Sequence, residues 1–288
     1  MRRPCCRPSG GTSALPGKGD VMWNLNRSRT LDKLRRGETV LSFKSNLSCP
    51  RAVEIAALAG FDCVWLCCEH VPNDWLTLER QVLAGRAGGA DIMVRVERGS
   101  YSDLIKPLEL NASGILVPHV ISAEEARQIV RHTRFYPLGR RPADGGNSDG
   151  CFTMLPFAEY IRFANENRFV MIQVEDSEAL AELDEICAVP GIDAVFFGPG
   201  DFSQSIGVPG EIGHPEVKQA RKLVAAAARR HGKFAATVGG TANLGELWSE
   251  GYRFINLTAD VVTLAEQCRR VVENAAEVLH EYDPATAG

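Results

Sequence analysis

From residue 30 onward the chain repeats one unit: a short apolar run of strand length, then a helical pattern. The strand runs are 38–44, 61–67, 91–96, 113–117, 168–174, 193–198, 233–238 and 253–257. Each is almost continuously apolar, with little polar alternation. That is how strands read when both faces are covered, as in a parallel sheet. Helical patterns fill 50–59, 74–87, 102–110, 122–133, 156–167, 177–187, 215–231, 241–250 and 260–282. Start signals support several of them: Ser122 before Glu124 and Glu125, Ser177 before Glu178, and Pro215 in a first turn. Eight strands with interleaved helices define a (β/α)8 TIM barrel, a fold of about 250 residues. A doubly wound open sheet would need a glycine fingerprint after its first strand, and Lys44-Ser45-Asn46 has none.

Composition narrows the function. The chain has 288 residues and a net charge of −4, which disfavours a nucleic-acid binder. Apolar content of 45% is too high for a chain that stays unfolded. No apolar run is long enough to span a bilayer. The nine cysteines are odd in number, and Cys63, Cys67 and Cys68 sit in a strand-like run. They read as reduced thiols, and the expected location is the cytoplasm. Residues 1–21 are rich in Pro, Gly, Ser and Arg; they are expected to be a disordered extension, with Met22 as the true start. Residues 22–288 then form one barrel domain.

In such a barrel the chemistry lies at the C-terminal strand ends. The residues there are Lys44, Glu69-His70, Arg95, Pro118-His119, Gln173 and Glu175, and the turn Gly198-Pro199-Gly200-Asp201. Glu175 and Asp201 close two neighbouring strands, taken as the sixth and seventh. Two carboxylates so placed repel unless one is protonated or a cation lies between them. A hard divalent cation prefers such oxygen ligands, and two carboxylates leave positions open for substrate. The glycines of the turn allow close approach, and the N–H groups of the helix it opens suit a carboxylate. His70 has the pKa range for proton transfer. His119, His132, His214, His231 and His280 are weaker candidates. Arg95 interrupts an apolar strand; it either pairs with Glu69 or faces a ligand, where its fork could bind a carboxylate or an enolate oxygen.

The pattern resembles the HpcH/HpaI aldolase family of metal-dependent, class II pyruvate aldolases. The resemblance covers about residue 30 to about 275. Ala59-Gly60-Phe61-Asp62 with Glu69-His70-Val71-Pro72-Asn73-Asp74 is similar to the family's AGFD…EHxPND, and Val94-Arg95-Val96 to its VRV strand. Leu116-Val117-Pro118, Ser122–Arg127 and Thr133–Pro137 resemble its LVP, SAEEAR and TRYPP runs. Gln173-Val174-Glu175 resembles QIE, Gly198–Ser203 resembles GPADLS, and Gly213–Val217 resembles GHPEV.

The resemblance implies a barrel of the phosphoenolpyruvate/pyruvate type. Glu175 and Asp201 would ligate a divalent cation, Mg²⁺ or Mn²⁺ first, with Co²⁺ or Zn²⁺ as alternatives. The backbone of Gly200 and Asp201 would hold the carboxylate of a 2-oxo acid, His70 would be the base, and Arg95 would stabilise the enolate. Gln173 would support the substrate or a metal-bound water. The reaction implied is retro-aldol cleavage of a 4-hydroxy-2-oxo acid to a pyruvate-like acid and an aldehyde.

The sequence also departs from the family. Cys67 stands where the family has an Asp, two residues before the Glu-His pair. Glu109 matches an Asp that supports the base across a subunit boundary. Pro142 replaces a glycine in the Gly139–Gly146 loop. Lys44 is read as a substrate-binding residue, and alternatively as a Schiff-base amine. Two further alternatives are a citrate-lyase-like enzyme acting on a CoA thioester and a non-catalytic metabolite-binding barrel. The apolar stripe of 260–282 could pack on its own barrel or on another subunit; the resemblance implies the second, a homo-oligomer built on dimers, extending to a hexamer.

Overall fold

The computed structural model describes residues 25–282; the expected extension of residues 1–21 lies outside them. The elements run α1 (Arg29–Arg35), β1 (Val40–Lys44), α2 (Pro50–Leu58), β2 (Cys63–Cys67), α3 (Trp75–Gly88) and β3 (Asp91–Arg95). Next come α4 (Tyr101–Glu109), β4 (Gly114–Val117), α5 (Ala123–Thr133), α6 (Phe157–Asn167), β5 (Phe169–Val174) and α7 (Leu183–Ala188). The chain ends with β6 (Ala194–Phe197), α8 (Pro199–Ser205), α9 (Pro215–Arg230), β7 (Phe234–Val238), α10 (Leu244–Glu250), β8 (Tyr252–Ala259) and α11 (Asp260–Glu281). Two short 3-10 turns, Ser148–Gly150 and Ser177–Glu182, precede α6 and α7.

The strands pair in sequence order, all parallel, and β8 closes on β1. This is the (β/α)8 barrel expected from the alternation. The strands that lead to Glu175 and Asp201 are the fifth and sixth, each one place earlier than the sequence count. They remain neighbours, with Gln173 level with Phe196.

Two apolar layers explain why the strands lack polar alternation. One face of each strand packs on the helices: Val64, Val94, Ile115, Ile172 and Val195 lie there with Val53, Leu78, Val82 and Val224. The other face fills the barrel with Val40, Trp65, Met93, Leu116, Met171, Phe196 and Phe254. Both faces are dry, so both are apolar.

The barrel is stoppered below and fastened above. Ser28 caps α1 and donates to Asp91 Oδ2 at 2.7 Å, and Leu31 and Leu34 join the interior cluster. This helix was not anticipated from sequence. At the top, Asp260 accepts from Ser45 Oγ (3.0 Å), Asn46 N (2.8 Å) and Leu47 N (3.0 Å), tying the loop after β1 to the start of α11. Among the described residues the seven cysteines are free.

Candidate active site at the mouth of the barrel

Strand alternation decides which side chains reach the mouth. The interior residues of β2, β3 and β5 include Trp65, Met93 and Met171. Two residues further on, the same face carries Cys67, Arg95 and Gln173. On β1 the interior series Val40, Ser42 leads to Lys44; Ser42 Oγ donates at 2.9 Å to Asn256 Oδ1 on the neighbouring strand β8. The apolar filling therefore ends in a polar layer.

Arg95 is 4% exposed. Its Nε lies 2.9 Å from Glu69 Oε2, its Nη2 lies 3.2 Å from Cys67 Sγ, and its guanidinium carbon is 4.9 Å from the centre of the Trp65 ring. The Glu69 pairing weighed from sequence is thus real, but it leaves Arg95 inside the mouth. The Nε–Glu69 contact is too poorly aligned to count as a hydrogen bond, and both atoms stay without one. A buried guanidinium with unused donor capacity suits a ligand that accepts.

Glu175 is 1% exposed. Its Oε1 accepts from the His119 N–H at 3.1 Å, and its Oε2 contacts the Gln173 amide nitrogen. Burial, with the added charge of Asp201, pushes its carboxyl up to about 7, although His119 pulls the other way. Gly198 makes this arrangement possible. A Cβ there would meet Glu175 Oε2 at 2.6 Å and Gln173 Nε2 at 2.9 Å. Asp201 is exposed in the first turn of α8, whose N-cap is Gly198; Asp201 is not itself the cap.

These residues fit a hard cation. Glu175 is a buried carboxylate whose charge is opposed by burial and by a second carboxylate, and the side-chain amide oxygen of Gln173 is buried without a partner. Among the described residues no three His, Cys, Asp or Glu side chains form a closed metal cluster. Two carboxylates are what an open, substrate-completed site provides.

His119, a weaker candidate from sequence, lies deeper among the acidic groups of the mouth than His70. It sits at φ 52°, a left-handed conformation uncommon for a side-chain-bearing residue. Its Nδ1 is 3.0 Å from Asp176 Oδ2 and 3.7 Å from Glu175 Oε1, and its Nε2 is 3.6 Å from Glu69 Oε1. Burial alone would lower its pKa, but the Asp176 hydrogen bond and the charges of Glu175, Asp176 and Glu69 leave it raised. Its place directly after β4 was the available signal. His70, in contrast, is on the rim with its side chain 58% exposed, and its Nε2 is 3.5 Å from Glu69 Oε2.

Lys44 is half-buried, and burial together with the charge of Arg95 lowers its pKa. Glu109 is elsewhere. It ends α4, at the N-terminal end of the barrel, where burial raises its carboxyl near Arg141 and Asp149. Within one chain it does not join the mouth.

Residues 43–266 match the model of the HpcH/HpaI aldolase/citrate lyase family, and the chain belongs to that family. It is 34% identical to the hydroxypyruvate/pyruvate aldolase of Pseudomonas aeruginosa over 85% of this chain and 91% of that one. It is 37% identical to the 2-keto-3-deoxy-L-rhamnonate aldolase of Salmonella gallinarum over 65% of this chain and 69% of that one. Among solved structures, an HpcH/HpaI aldolase from Desulfitobacterium hafniense superposes with a TM-score of 0.81 at 30% identity, covering 86% of this chain and 96% of that one.

Proposed function

We propose that the chain is a class II aldolase: it cleaves a 4-hydroxy-2-oxo acid to pyruvate, or a pyruvate-like acid, and an aldehyde through an enolate. The observation that carries this reading is the buried Glu175 carboxylate beside Gln173, with Asp201 following on the next strand and Arg95 in the same mouth. Two aldolases among its relatives support the reaction class.

Each residue has a task. Glu175 and Asp201 hold a divalent cation, Mg²⁺ or Mn²⁺, which when bound supplies a Lewis acid for the 2-oxo group. The first-turn N–H groups at Gly200 and Asp201 lack intrahelical acceptors and bind the 2-oxo acid's carboxylate. His70 takes the 4-hydroxyl proton. The C3–C4 bond then breaks, the aldehyde carbonyl forms, and the bonding pair moves into the enolate. Arg95 stabilises charge on the enolate oxygen, as a preorganised buried donor. Protonation at C3 completes the pyruvate. Gln173 holds Glu175 in place.

Glu109 acts, on this reading, in a neighbouring subunit's site. The assembly is a homo-oligomer built on dimers. Its support is α11, whose Val261, Val262, Leu264, Val271, Val272 and Leu279 are exposed on a 22-residue helix. No helix among the described residues is long and apolar enough to cross a membrane. The free cysteines are what favours a cytoplasmic enzyme.

Deuterium exchange into the methyl group of pyruvate, read by proton NMR, tests the reaction. Exchange with Mg²⁺ or Mn²⁺ that stops on chelation is the expected result. Exchange that survives chelation, with borohydride trapping pyruvate on Lys44, moves the chemistry to a Schiff base. That second reading has one observation in its favour, the lowered pKa of Lys44. No exchange with metal bound refutes both.

A further inference from the structure

The foot of the barrel holds a cavity of about 330 Å³ that the proposed reaction does not use. Arg168, in its lining, comes directly before β5, and Glu175 follows the other end of that strand. The strand puts the two roughly 20 Å apart, at about 3.3 Å per residue. Arg86 enters the cavity from the last turn of α3, Asn111 from the turn before β4, and Ser148 from the 3-10 turn before α6.

Two cations line this cavity without an ion pair among the described residues. Arg86 makes one hydrogen bond, from Nη1 to Ser148 Oγ at 3.4 Å. Arg168 donates from Nη1 to the Asn26 carbonyl at 2.8 Å and from Nη2 to the Asn111 amide oxygen, and its Nε is buried without an acceptor. The acid of the lining, Asp149, is engaged elsewhere. Its Oδ2 accepts from Arg141 Nη2 and from the Tyr160 hydroxyl, each at 2.8 Å. Asp149 attracts Arg168 only from beyond ion-pair distance. Burial lowers the pKa of both guanidiniums, that of Arg168 to about 10, and the two repel each other.

Ser148 adds a donor. Its Oγ accepts from Arg86 and from Asn111 Nδ2, and its own proton has no acceptor among the described residues. Arg86 and Ser148 are half-buried, so a ligand can reach them, while buried Arg168 adds charge from beneath. The rest of the lining is apolar. Leu83, Phe152 and Met154 are exposed, and the Arg168 guanidinium carbon lies 5.3 Å from the centre of the Phe163 ring. Phe152 belongs to a turn in which Cys151, Phe152 and Thr153 all have positive φ, at 51°, 54° and 68°, a conformation disfavoured for side-chain-bearing residues.

Two uncompensated cations in one cavity lose solvation and repel. A leucine or methionine in place of Arg86 would fill the space without either penalty. The cavity therefore suits an anion that arrives from outside. Its lining carries two positive charges against one negative, a surplus that a monoanion balances. The apolar walls offer nothing to a second charge. The residues ahead of Leu25 carry Asp20 against Arg2, Arg3, Arg7 and Lys18, so that segment has no surplus acid to offer.

We propose that this cavity is a second binding site, apart from the mouth, for a monocarboxylate on an apolar body of one aromatic ring or a short alkyl chain. The carboxylate takes the Arg86 guanidinium and the Ser148 hydroxyl. The apolar body lies on Leu83, Phe152 and Met154. The site stands independently of the aldolase reading.

Saturation-transfer NMR on the full chain tests it, with 3-phenylpropanoate, its neutral match 3-phenylpropanamide and inorganic phosphate as probes. Wild type is expected to bind the acid about ten-fold or more tightly than either the amide or phosphate, and in Arg86→Gln the ratio of acid to amide falls to about one. Leu83→Glu changes an exposed position, and its carboxylate competes for Arg86; it should weaken the acid by about ten-fold and leave the amide unchanged. Circular dichroism confirms that the variants fold, and Leu83→Glu carries the test should Arg86→Gln not fold. Saturating pyruvate with Mg²⁺ should leave 3-phenylpropanoate bound. Equal binding of acid and amide by wild type overturns the proposal. So does tighter binding of phosphate, an acid preference that survives in the folded variants, or displacement of 3-phenylpropanoate by pyruvate.

Discussion

Glu175→Gln should flatten the pH dependence of stability of the metal-free protein. Glu175 is 1% exposed, and its carboxyl is raised from 4.5 to about 7, chiefly by burial. The folded state therefore holds this proton over a range where the unfolded chain has released it. Stability from this group is fully present below about pH 4.5 and is lost as pH rises through about 7. The shift corresponds to about 3 kcal/mol, at about 1.4 kcal/mol per pKa unit. Glutamine keeps the shape, cannot ionise, and has no such loss. The assay is urea unfolding of wild type and Glu175→Gln in the presence of chelator, at intervals from pH 4.5 to 8. The difference between their unfolding free energies should move by about 3 kcal/mol in favour of the variant as pH rises. His119 also has a raised pKa, to which the Glu175 charge contributes, so its contribution runs in the same direction, is weakened in the variant and adds to the difference. Parallel curves for the two proteins would refute the argument that Glu175 is a carboxylate waiting for a counter-charge.

Gly198→Ala should weaken Mn²⁺ binding, because the new Cβ would lie 2.6 Å from Glu175 Oε2 and 2.9 Å from Gln173 Nε2. Loss by a factor of about ten or more is expected from titration followed by electron paramagnetic resonance, and unchanged affinity would remove Glu175 as a ligand. Val272→Glu with Leu279→Glu should lower the mass seen by light scattering, since both side chains are exposed, at 67% and 70%. The circular dichroism spectrum should be kept, and an unchanged mass would show that α11 does not join subunits.

The barrel was legible because a strand with two dry faces leaves no polar residue in its run. Val64-Trp65-Leu66 and Met171-Ile172 are apolar for two reasons at once, one for the helices and one for the barrel interior. The end of each run marks the mouth, so Arg95, Gln173 and Glu175 could be found as the first polar groups after it. His119 was underrated because its three acidic neighbours come from other loops, after β2 and β5, and its turn depends on a left-handed backbone that sequence does not display. Helix α1 was missed because seven residues with two buried leucines make too short a periodic signal. The strand numbers slipped at the long segment between α5 and α6, where the chain forms only a 3-10 turn. Glu109 shows a different limit: motif matching assigned it a role, but one chain's fold does not bring it to His70.

The clasp between Asp260 and the loop after β1 joins residues 213 to 215 positions apart. During synthesis Lys44 emerges early, while its loop waits for the last strand and the first turn of the last helix. Non-local pairings of this kind form late, after the intervening chain has lost most of its freedom. The wall that carries Lys44 is thus the last part of the mouth to set. A nascent chain stopped before residue 252 could already own Glu175, Asp201 and Arg95, yet its first strand would have no eighth to lean on. Turnover is in that sense a proofreading signal for the whole chain: it reports that both ends of the polypeptide have met.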